Sequence, residues 1–523
     1  MKNICRFRRL FPPLVAATIA GCQVGPNYHS PSIAVPDTFS SGLDVMPTTR
    51  PSTRPSAAST RPVDLARWWE ALEDPQLNAL VQRAIEANFD ARIAAARLQE
   101  AREVEFAATG GMRPGIGYFA GDASAAAGRG TGNNSTKGRI PAPLNAAAST
   151  TGLDEVTQIA GLDAAWELDL FGRFGRIVEA SQADTMAVAE MRHAILISLV
   201  ADVVRSYADV RHYQYRLEVA RQNVDTQRRT LDLVRIRRNR QLSNELDVAL
   251  AERQSSSALA RIAPLEAALA AAKRRVAVLV GRFPDDLRAD LDKPRLLPVT
   301  PPQVAPGMPA DLLRRRPDIR RAERELAAST ARIGVATADL FPRVGITAGT
   351  GFQGQGLGRE PQVSKSIYSI GPSLYWPFLD FGRLDAVVQA QDFHTQQLLL
   401  MYQRSVVVAV QEVDDALGNY AGEQDRLAQL GHAVEASTRA ESLAVQRYNI
   451  GLADFLNVLD AQRQLYDLQD QYAVAQVNVV TQFVALYKAM GGGWEGYEVP
   501  APPQPQPALL AAFRRPATPV SQP

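Results

Sequence analysis

The second half of the chain carries a stripe of apolar residues that recurs every three or four positions. Its members are spaced 3, 4, 7, 4 and 3 residues apart, namely Leu465, Leu468, Tyr472, Val479, Phe483 and Leu486. This period keeps the apolar side chains on one face of an α-helix, so a helix that packs against a partner is predicted over 454–490. A similar stripe predicts a companion helix over 243–280 in the first half, with a kink at Pro264.

Two much longer helices are predicted over 173–239 and 383–449. Neither stretch contains proline, and the only glycine in the first is Gly175, near its start. At about 1.5 Å per residue, each helix would be roughly 100 Å long. Because helices of ordinary globular domains seldom exceed about 20 residues, this length favours an extended helical assembly over a compact bundle.

Four segments rich in Gly, Thr, Tyr and Ile are predicted to be strands. They cover about 115–124, 156–168, 343–352 and 366–378. Each is close to the roughly 9 to 11 residues that a tilted transmembrane strand requires. Four strands cannot close a barrel, and open sheet edges are not tolerated in lipid, so several chains would have to share one barrel in a cyclic assembly.

The two halves of the chain are copies of each other. Matched residues stand 210 positions apart: Trp166 with Trp376, Phe171-Gly172-Arg173 with Phe381-Gly382-Arg383, Leu242 with Leu452, and Gly281 with Gly491. Upstream the offset is 228, as between Pro114 and Pro342. We therefore expect a first repeat over 63–281 and a second over 282–499. The 18 extra residues lie between Gly117 and Trp166, where 128–138 is predicted to be a polar, mobile loop.

The first 21 residues resemble a bacterial lipoprotein signal peptide. Four basic residues precede the apolar stretch Leu10 to Ala20, and the segment ends in Gly21-Cys22. Cys22 is therefore predicted to be the lipid-modified first residue of the mature chain. The alternative is ordinary cleavage nearby, with Cys22 unmodified. Removal of 1–21 leaves Cys22 as the only cysteine, so no disulfide can form within the chain.

Segments rich in Pro, Ser and Thr flank the two repeats. Residues 22–62 are expected to form the lipidated N-terminus and a linker, and residues 500–523 a disordered tail. Neither segment has the apolar residues to build a core, so both are expected to act as tethers.

Composition and motifs exclude several classes of function. Lys and Arg total 57 against 55 for Asp and Glu, which leaves no excess positive charge for nucleic-acid binding. The five histidines are scattered without the paired spacing of a metal site, and no nucleophile has a recognisable partner. No catalytic residue, metal site or cofactor is predicted, and the chain is expected not to be an enzyme.

Several motifs occur in a fixed order along the mature chain. They are Cys22 to Tyr28, Trp68-Trp69 with Asp74-Pro75, Pro309 to Arg320, Asp339 to Pro342, the two Phe-Gly-Arg motifs and Gly491 to Trp494. The set resembles the outer membrane factor family, the TolC-type exit ducts of tripartite efflux pumps, in its NodT-like lipoprotein branch. The resemblance implies a mainly α fold with a transmembrane β-barrel: a long α-helical barrel joined to a twelve-stranded β-barrel that three chains share, with two internal repeats per chain.

The resemblance also implies a location, a function and partners. The chain would be an outer-membrane, lipid-anchored homotrimer that extends into the periplasm and gives small toxic compounds a passive path to the exterior. Its partners would be a periplasmic adaptor, an inner-membrane transporter of the RND type and outer-membrane lipid, with no nucleic acid. Two alternatives remain: a type I protein-secretion duct, and a structural periplasmic coiled-coil lipoprotein without a pore.

In the family, the turn after the long helix lies at the periplasmic tip, where the duct narrows. By resemblance the pore constriction would be formed by Asp460, with Asn457 at a position that is acidic in some members. A ring of carboxylates there would attract cations. Alternatively, Asp460 is a solvated residue near the start of a helix, which the helix dipole favours.

The same turns would present residues to the adaptor. The adaptor-facing tips would include Gly451 and Leu452 in the second repeat, and Leu242 and Ser243 in the first. The alternative for the leucines is packing within the tip. Gly451 would supply a left-handed turn, and because Gln241 stands at the matching position, the first turn is expected to be built differently.

The two Phe-Gly-Arg motifs lie where a strand is followed by a long helix. Gly172 and Gly382 would let the backbone bend, while Arg173 and Arg383 begin the helices. We expect these strand–helix junctions to have a structural role.

Overall fold

The computed structural model describes residues 23–36, 38–39, 64–124, 136–137, 156–284, 286–295, 311, 314–356 and 362–497. The predicted lipid site at Cys22, the tail from residue 500, and most of the predicted linker and of the loop over 128–138 lie outside these residues.

The described residues form nine α-helices, of which two are far longer than the rest. In chain order they are α1 Pro75–Ala87, α2 Phe89–Thr109, α3 Arg173–Asn239, α4 Glu245–Ala260, α5 Ile262–Leu279, α6 Arg288–Leu291, α7 Pro317–Ala338, α8 Arg383–Asn449 and α9 Phe455–Ala489. The helices α3 and α8 have 67 residues each and occupy the two stretches predicted for them. A 3-10 helix, Leu65–Leu72, precedes α1.

The companion helix predicted over 243–280 is two helices in the structure. The first, α4, ends at Ala260, and α5 begins at Ile262. Pro264 explains this position, because a proline ring clashes with the carbonyl group four residues earlier, here that of Ala260. Pro264 then lies in the first turn of α5, where backbone N–H groups have no partner within the helix. The predicted kink is therefore a break, whereas α9 is continuous.

The strands form one antiparallel sheet in the order β2-β1-β3-β4-β5. They are β1 Gly115–Ser124, β2 Thr136–Lys137, β3 Val156–Leu168, β4 Arg343–Gly356 and β5 Gln362–Tyr375. The prediction of 343–352 was too short for β4, and that of 366–378 was displaced toward the C-terminus for β5. Pro377 explains why β5 ends early, because proline lacks an N–H for the sheet and restricts the residue before it.

The two long hairpins of the sheet have the same register. Gly115 pairs with Ala165 in the first hairpin, and Arg343 pairs with Tyr375 in the second. The two pairs are related by the sequence offsets of 228 and 210. The duplication seen in the sequence is therefore also a duplication of strand pairing.

Two tryptophan side chains repeat the same relation. The indole Nε1 of Trp166 donates to the carbonyl oxygen of Met112 at 3.3 Å, and that of Trp376 donates to the carbonyl oxygen of Leu340 at 3.1 Å. Donors and acceptors again match across the two offsets. Each bond fixes the end of a strand to the chain that leads into its neighbour.

The chain divides into two compact units. The strand unit comprises Met1–Ser32, Glu100–Val188 and Arg321–Gln403, and the tip unit comprises Ile33–Gln99, Ala189–Arg320 and Arg404–Pro523. The sheet and both strand–helix junctions belong to the strand unit, and both turns after the long helices belong to the tip unit. Among the described residues, no helix has a stretch long and apolar enough to cross a membrane.

The tip unit has an extensive apolar core. Trp68 is only 1% exposed and stacks on Tyr487 with 5.4 Å between ring centroids. Trp69 and Phe483 pack edge-on against the same indole. The two tryptophans therefore pack in a core.

Candidate functional site

The turn after α3 ends the helix with a left-handed residue. Gln241 has φ of 62°, its N–H donates to the carbonyl oxygen of Arg238 at 2.8 Å, and the N–H of Leu242 donates to that of Arg237 at 2.9 Å. These two bonds form a Schellman motif, which satisfies carbonyl groups that the helix end leaves free. Residues 237–250 are called the first tip.

The turn after α8 has the same backbone bonds. Gly451 has φ of 79° and donates to the carbonyl oxygen of Tyr448 at 3.0 Å, while Leu452 donates to that of Arg447 at 2.8 Å. Residues 447–460 are called the second tip. The expectation of a differently built first turn was wrong: Gln241 adopts the conformation of Gly451 despite its Cβ, which disfavours positive φ.

A small apolar core joins the two tips. It includes Val234, Val248, Tyr448, Phe455 and Val458, all buried. The core contains residues of α3, α4, α8 and α9. We infer that its packing favours the same turn geometry after α3 and after α8, because α4 and α9 then both return to the core.

Arg237 connects the ends of the two long helices. Its guanidinium lies 4.5 Å from the ring centroid of Tyr448, and its Nη1 donates to the carbonyl oxygen of Asn449 at 3.1 Å. Asn449 is the last residue of α8, so this cation also satisfies a carbonyl at the negative end of the helix dipole.

The helices α4 and α9 have Asn and Asp in opposite order at the two positions that can form a capping box. In the first tip, Asn244 caps α4 by accepting from the N–H of Asp247 at 2.8 Å, and the Asp247 carboxylate accepts from the Asn244 N–H in return. The second tip has Asp454 and Asn457 at these positions, and the Asp454 side chain makes no capping bond. The first tip therefore uses its carboxylate to cap its own helix.

Asp460 lies on the exposed side of α9, one turn beyond Asn457. Its side chain is 54% exposed, and its oxygens accept from Nη2 of Arg463 at 3.2 Å and from Nε2 of Gln464 at 2.7 Å. In the first tip Leu250 takes the place of Asp460. The pairing of Arg463 with Asp460 was not predicted, although a spacing of three residues on a helix is a signal for such a pair.

The tip leucines are exposed in both repeats. Leu242 is 63% and Leu452 is 65% exposed, so packing within the tip does not account for them in the chain alone. Ser243 is directed toward its own helix, because its Oγ donates to Asp247 at 2.7 Å. The structure therefore separates Ser243, which supports the cap, from the leucines, which are free for a partner.

The two strand–helix junctions differ in how they are covered. At the first, Phe171 stacks on Phe341 with 4.6 Å between centroids, and Arg173 donates to Asp339 at 2.9 Å. A Cβ on Gly172 would lie 2.8 Å from the Cα of Gln23. The first junction is closely packed.

The second junction is open in the chain. Phe381 is 97% exposed with φ of 53°, and Arg383 is exposed. Among the described residues, no atom lies within 4 Å of a Cβ built on Gly382. The helix start is capped by Asp380, which accepts from the N–H of Leu384 at 2.7 Å. This capping role was not predicted, because an aspartate before a helix is a common residue with many uses.

Within the part of the chain that the structure describes, no group of three or more His, Cys, Asp or Glu residues is arranged to hold a metal ion.

Comparisons with known proteins agree with this geometry. The sequence model of the family described as "Outer membrane efflux protein" matches residues 80–282 and 308–492. Nodulation protein T of Rhizobium leguminosarum bv. viciae is 29% identical over 496 residues, covering 94% of this chain and 95% of that protein. The pyoverdine export outer membrane protein OpmQ of Pseudomonas putida is 30% identical over 449 residues, covering 84% and 91%. The solved outer-membrane channel OprN is 33% identical, with a TM-score of 0.76 over 90% of this chain and 100% of that one.

Proposed function

The chain belongs to the outer membrane efflux protein family, and from this premise we propose that its second tip forms the constriction of the channel. The chain is the outer-membrane channel of an efflux system, a homotrimer that extends into the periplasm and works with an adaptor and an inner-membrane pump. The observation that supports the constriction is the exposed carboxylate of Asp460 beside the apolar core of the tips.

The charge of the constriction is reduced by Arg463. A trimer brings three copies of Asp460 together, and each brings its own Arg463 at 3.2 Å. Asn457 adds no second carboxylate. The proposed ring therefore attracts cations more weakly than three unpaired aspartates would, because rings of charge set the ion preference of a pore.

The tips are also proposed as the surface that meets the adaptor. Leu242 and Leu452 are exposed at equivalent positions of the two repeats, so a trimer offers six similar apolar contacts. Exposed apolar residues rimmed by polar ones mark protein-interaction sites. Gly451 sets the direction of the second turn, and Ser243 acts indirectly through the cap of α4.

Lipid attachment, the type of pump and the cargo are further parts of the proposal. Cys22 is proposed to carry the lipid, on the basis of the charged, apolar and Cys-terminated signal before it. The pump is proposed to be of the RND type. OpmQ is named for pyoverdine export, and we extend this to small organic molecules as the cargo here. The family's role is transport, and we propose that this chain catalyses no reaction of its own.

Single-channel recording in planar bilayers tests the constriction. Wild type, Asp460→Ala and Asp467→Ala are compared at one salt concentration, since Asp467 is a similarly exposed acid two turns along α9 that is 52% exposed. The proposal predicts discrete channels whose conductance changes with Asp460→Ala and not with Asp467→Ala. Equal conductance in all three proteins would contradict the constriction while leaving the channel in place.

A further inference from the structure

Residues 23–30, here called the N-terminal strap, lie against the first strand–helix junction. The N–H of Val24 donates to the carbonyl oxygen of Phe171 at 3.2 Å. Gly25, with φ of 86°, approaches α7 so closely that a Cβ on it would overlap the Cα of Gly334. The strap is therefore seated where only a bare backbone fits.

Arg176, near the start of α3, is a buried cation that is 1% exposed. Its Nε donates to the carbonyl oxygen of Val24 at 3.1 Å, and its Nη2 donates to the carbonyl oxygen of Gly25 at 3.2 Å and to Oδ1 of Asn27 at 2.8 Å. Its Nη1 donates to Glu179 at 2.8 Å. Three of these four bonds end on the strap.

The strap and Arg176 therefore depend on each other. Without the strap, the guanidinium would keep Glu179 and lose three acceptors in a buried site. An arginine stays charged at any physiological pH, and a buried cation without acceptors is strongly unfavourable. Without Arg176, the carbonyl oxygens of Val24 and Gly25 would lose this shared donor.

The far end of the strap is held by Tyr28. Its ring packs against the alanine cluster of Ala183, Ala327 and Ala328, and its hydroxyl donates to Glu323 at 3.3 Å. Burial, and after it the charge of Glu323, raises the pKa of Tyr28 to about 12. The hydroxyl therefore remains a neutral donor at physiological pH.

The second repeat has no counterpart of this site. The offsets of 210 and 228 match Arg176 to Ala386 and Gly334 to Phe106. At the second junction, no atom of the residues that the structure describes lies within 4 Å of a Cβ on Gly382. The site for the strap is thus a specialisation of the first repeat and not a general requirement of a strand–helix junction.

We propose that Arg176 is a positioning residue that fastens the N-terminal strap to the first strand–helix junction and thereby fixes where the lipid on Cys22 leaves the protein. The inference rests on the proposed lipidation of Cys22. Cys22 is bonded directly to Gln23 in the sequence, so the held strap sets the point on the protein to which a lipid on Cys22 is tethered. The partner of this surface is the chain's own N-terminus, and through it the membrane lipid.

Hydrogen exchange with mass spectrometry on the lipidated full-length protein in detergent tests the proposal. The variants are Arg176→Gln and Gly25→Ala, of which the second displaces the strap by overlap with Gly334 and leaves α3 untouched. The control is Arg321→Gln, which removes an exposed arginine that pairs with Glu325 at 2.7 Å on α7. Amides after Asp380 at the second junction serve as an internal reference.

We expect exchange of the strap amides to quicken by about tenfold or more in both variants, with the second junction and the Arg321→Gln protein unchanged. Unchanged strap exchange in Gly25→Ala and in folded Arg176→Gln would overturn the clamp. If Arg176→Gln does not assemble, the Gly25→Ala result decides. The mass of the N-terminal peptide is read in the same experiment: a wild-type peptide without acyl groups would overturn the lipidation of Cys22, and with it the anchoring role, whatever the strap exchange shows.

Discussion

The first and second tips share a backbone and differ in side chains. Gln241 and Gly451 adopt the same left-handed conformation and close the same pair of hydrogen bonds. One residue is suited to that conformation and the other is not. Because both turns flank the same apolar core, we infer that packing of this core holds the left-handed conformation at Gln241 against the residue's own preference.

The first turns of α4 and α9, which follow these two tips, differ in their side chains. Asn244 and Asp247 cap α4, whereas Asp454 and Asn457 exchange the residue types and leave Asp454 without a capping bond. Asp460 then places an exposed carboxylate at the position where the first tip has Leu250. The two tips therefore share a backbone conformation while their side chains differ at the helix cap and at the position of Asp460.

The largest effect, on adaptor binding, is expected when a charge replaces one of the two exposed tip leucines. Leu242→Asp and Leu452→Asp should each lower adaptor affinity by about tenfold or more, because docking would desolvate a carboxylate. Co-purification with the adaptor and resistance of cells to an exported compound are the measurements. Leu443→Asp, at a leucine of α8 that is 57% exposed and about one turn before the second tip, is the control. An equal loss of adaptor affinity in all three variants would contradict the proposal that the tip leucines contact the adaptor.

Gly451→Ala should destabilise the second tip by about 1–2 kcal/mol, because a Cβ is strained at positive φ. Exchange of the Leu452 amide, which the turn protects, measures this local opening. Gly422→Ala is a matched control at an exposed helical position of α8, where alanine should instead stabilise by up to about 1 kcal/mol. Two changes of the same sign would contradict the strain argument.

Asn244→Ala should cost the first tip about 1 kcal/mol, because the side-chain oxygen that accepts from the N–H of Asp247 is lost, while the backbone N–H of residue 244 remains. Asp454→Ala should cost the second tip only a few tenths of a kcal/mol, because its side chain makes no capping bond and contributes through the helix dipole alone. Exchange of the first-turn amides of α4 and α9 compares the two. A loss of equal size at both tips would show that the caps are equivalent in solution.

Gln241→Gly should have the opposite sign and stabilise the first tip by about 0.5 kcal/mol, because relief of the strained conformation exceeds the entropy that glycine loses on folding. Slower exchange of the Leu242 amide would be the signature. Faster exchange would mean that the Gln241 side chain contributes contacts that outweigh its backbone strain.

Much of the fold could be predicted because duplication and proline-free runs are visible in one sequence. The bounds of α3 and α8 follow from the junction glycines before them and the turns after them. The break at Arg261 was displaced from the predicted Pro264, because the clash of a proline acts four residues earlier. The strand β5 ends before the predicted residue 378 because Pro377 has no N–H for the sheet and restricts the residue before it.

The site residues were harder to predict. Gln241 gives no local signal for a left-handed turn, since the packing of distant residues imposes it. Arg463 could have been found from its spacing to Asp460. Arg176 could not, because in a single sequence an arginine at a helix start is ordinarily read as exposed, and only the folded strap shows it to be buried.

In the proposed constriction, the second tip carries a weak, partly neutralised ring of charge. The reversal potential of single channels in a salt gradient tests it most directly, with Asp460→Leu, which copies the residue of the first tip, beside Arg463→Gln. The account predicts shifts of opposite sign: lower cation preference when the carboxylate is lost, and higher preference when its guanidinium partner is lost. Shifts of the same sign, or none in either channel, would contradict it.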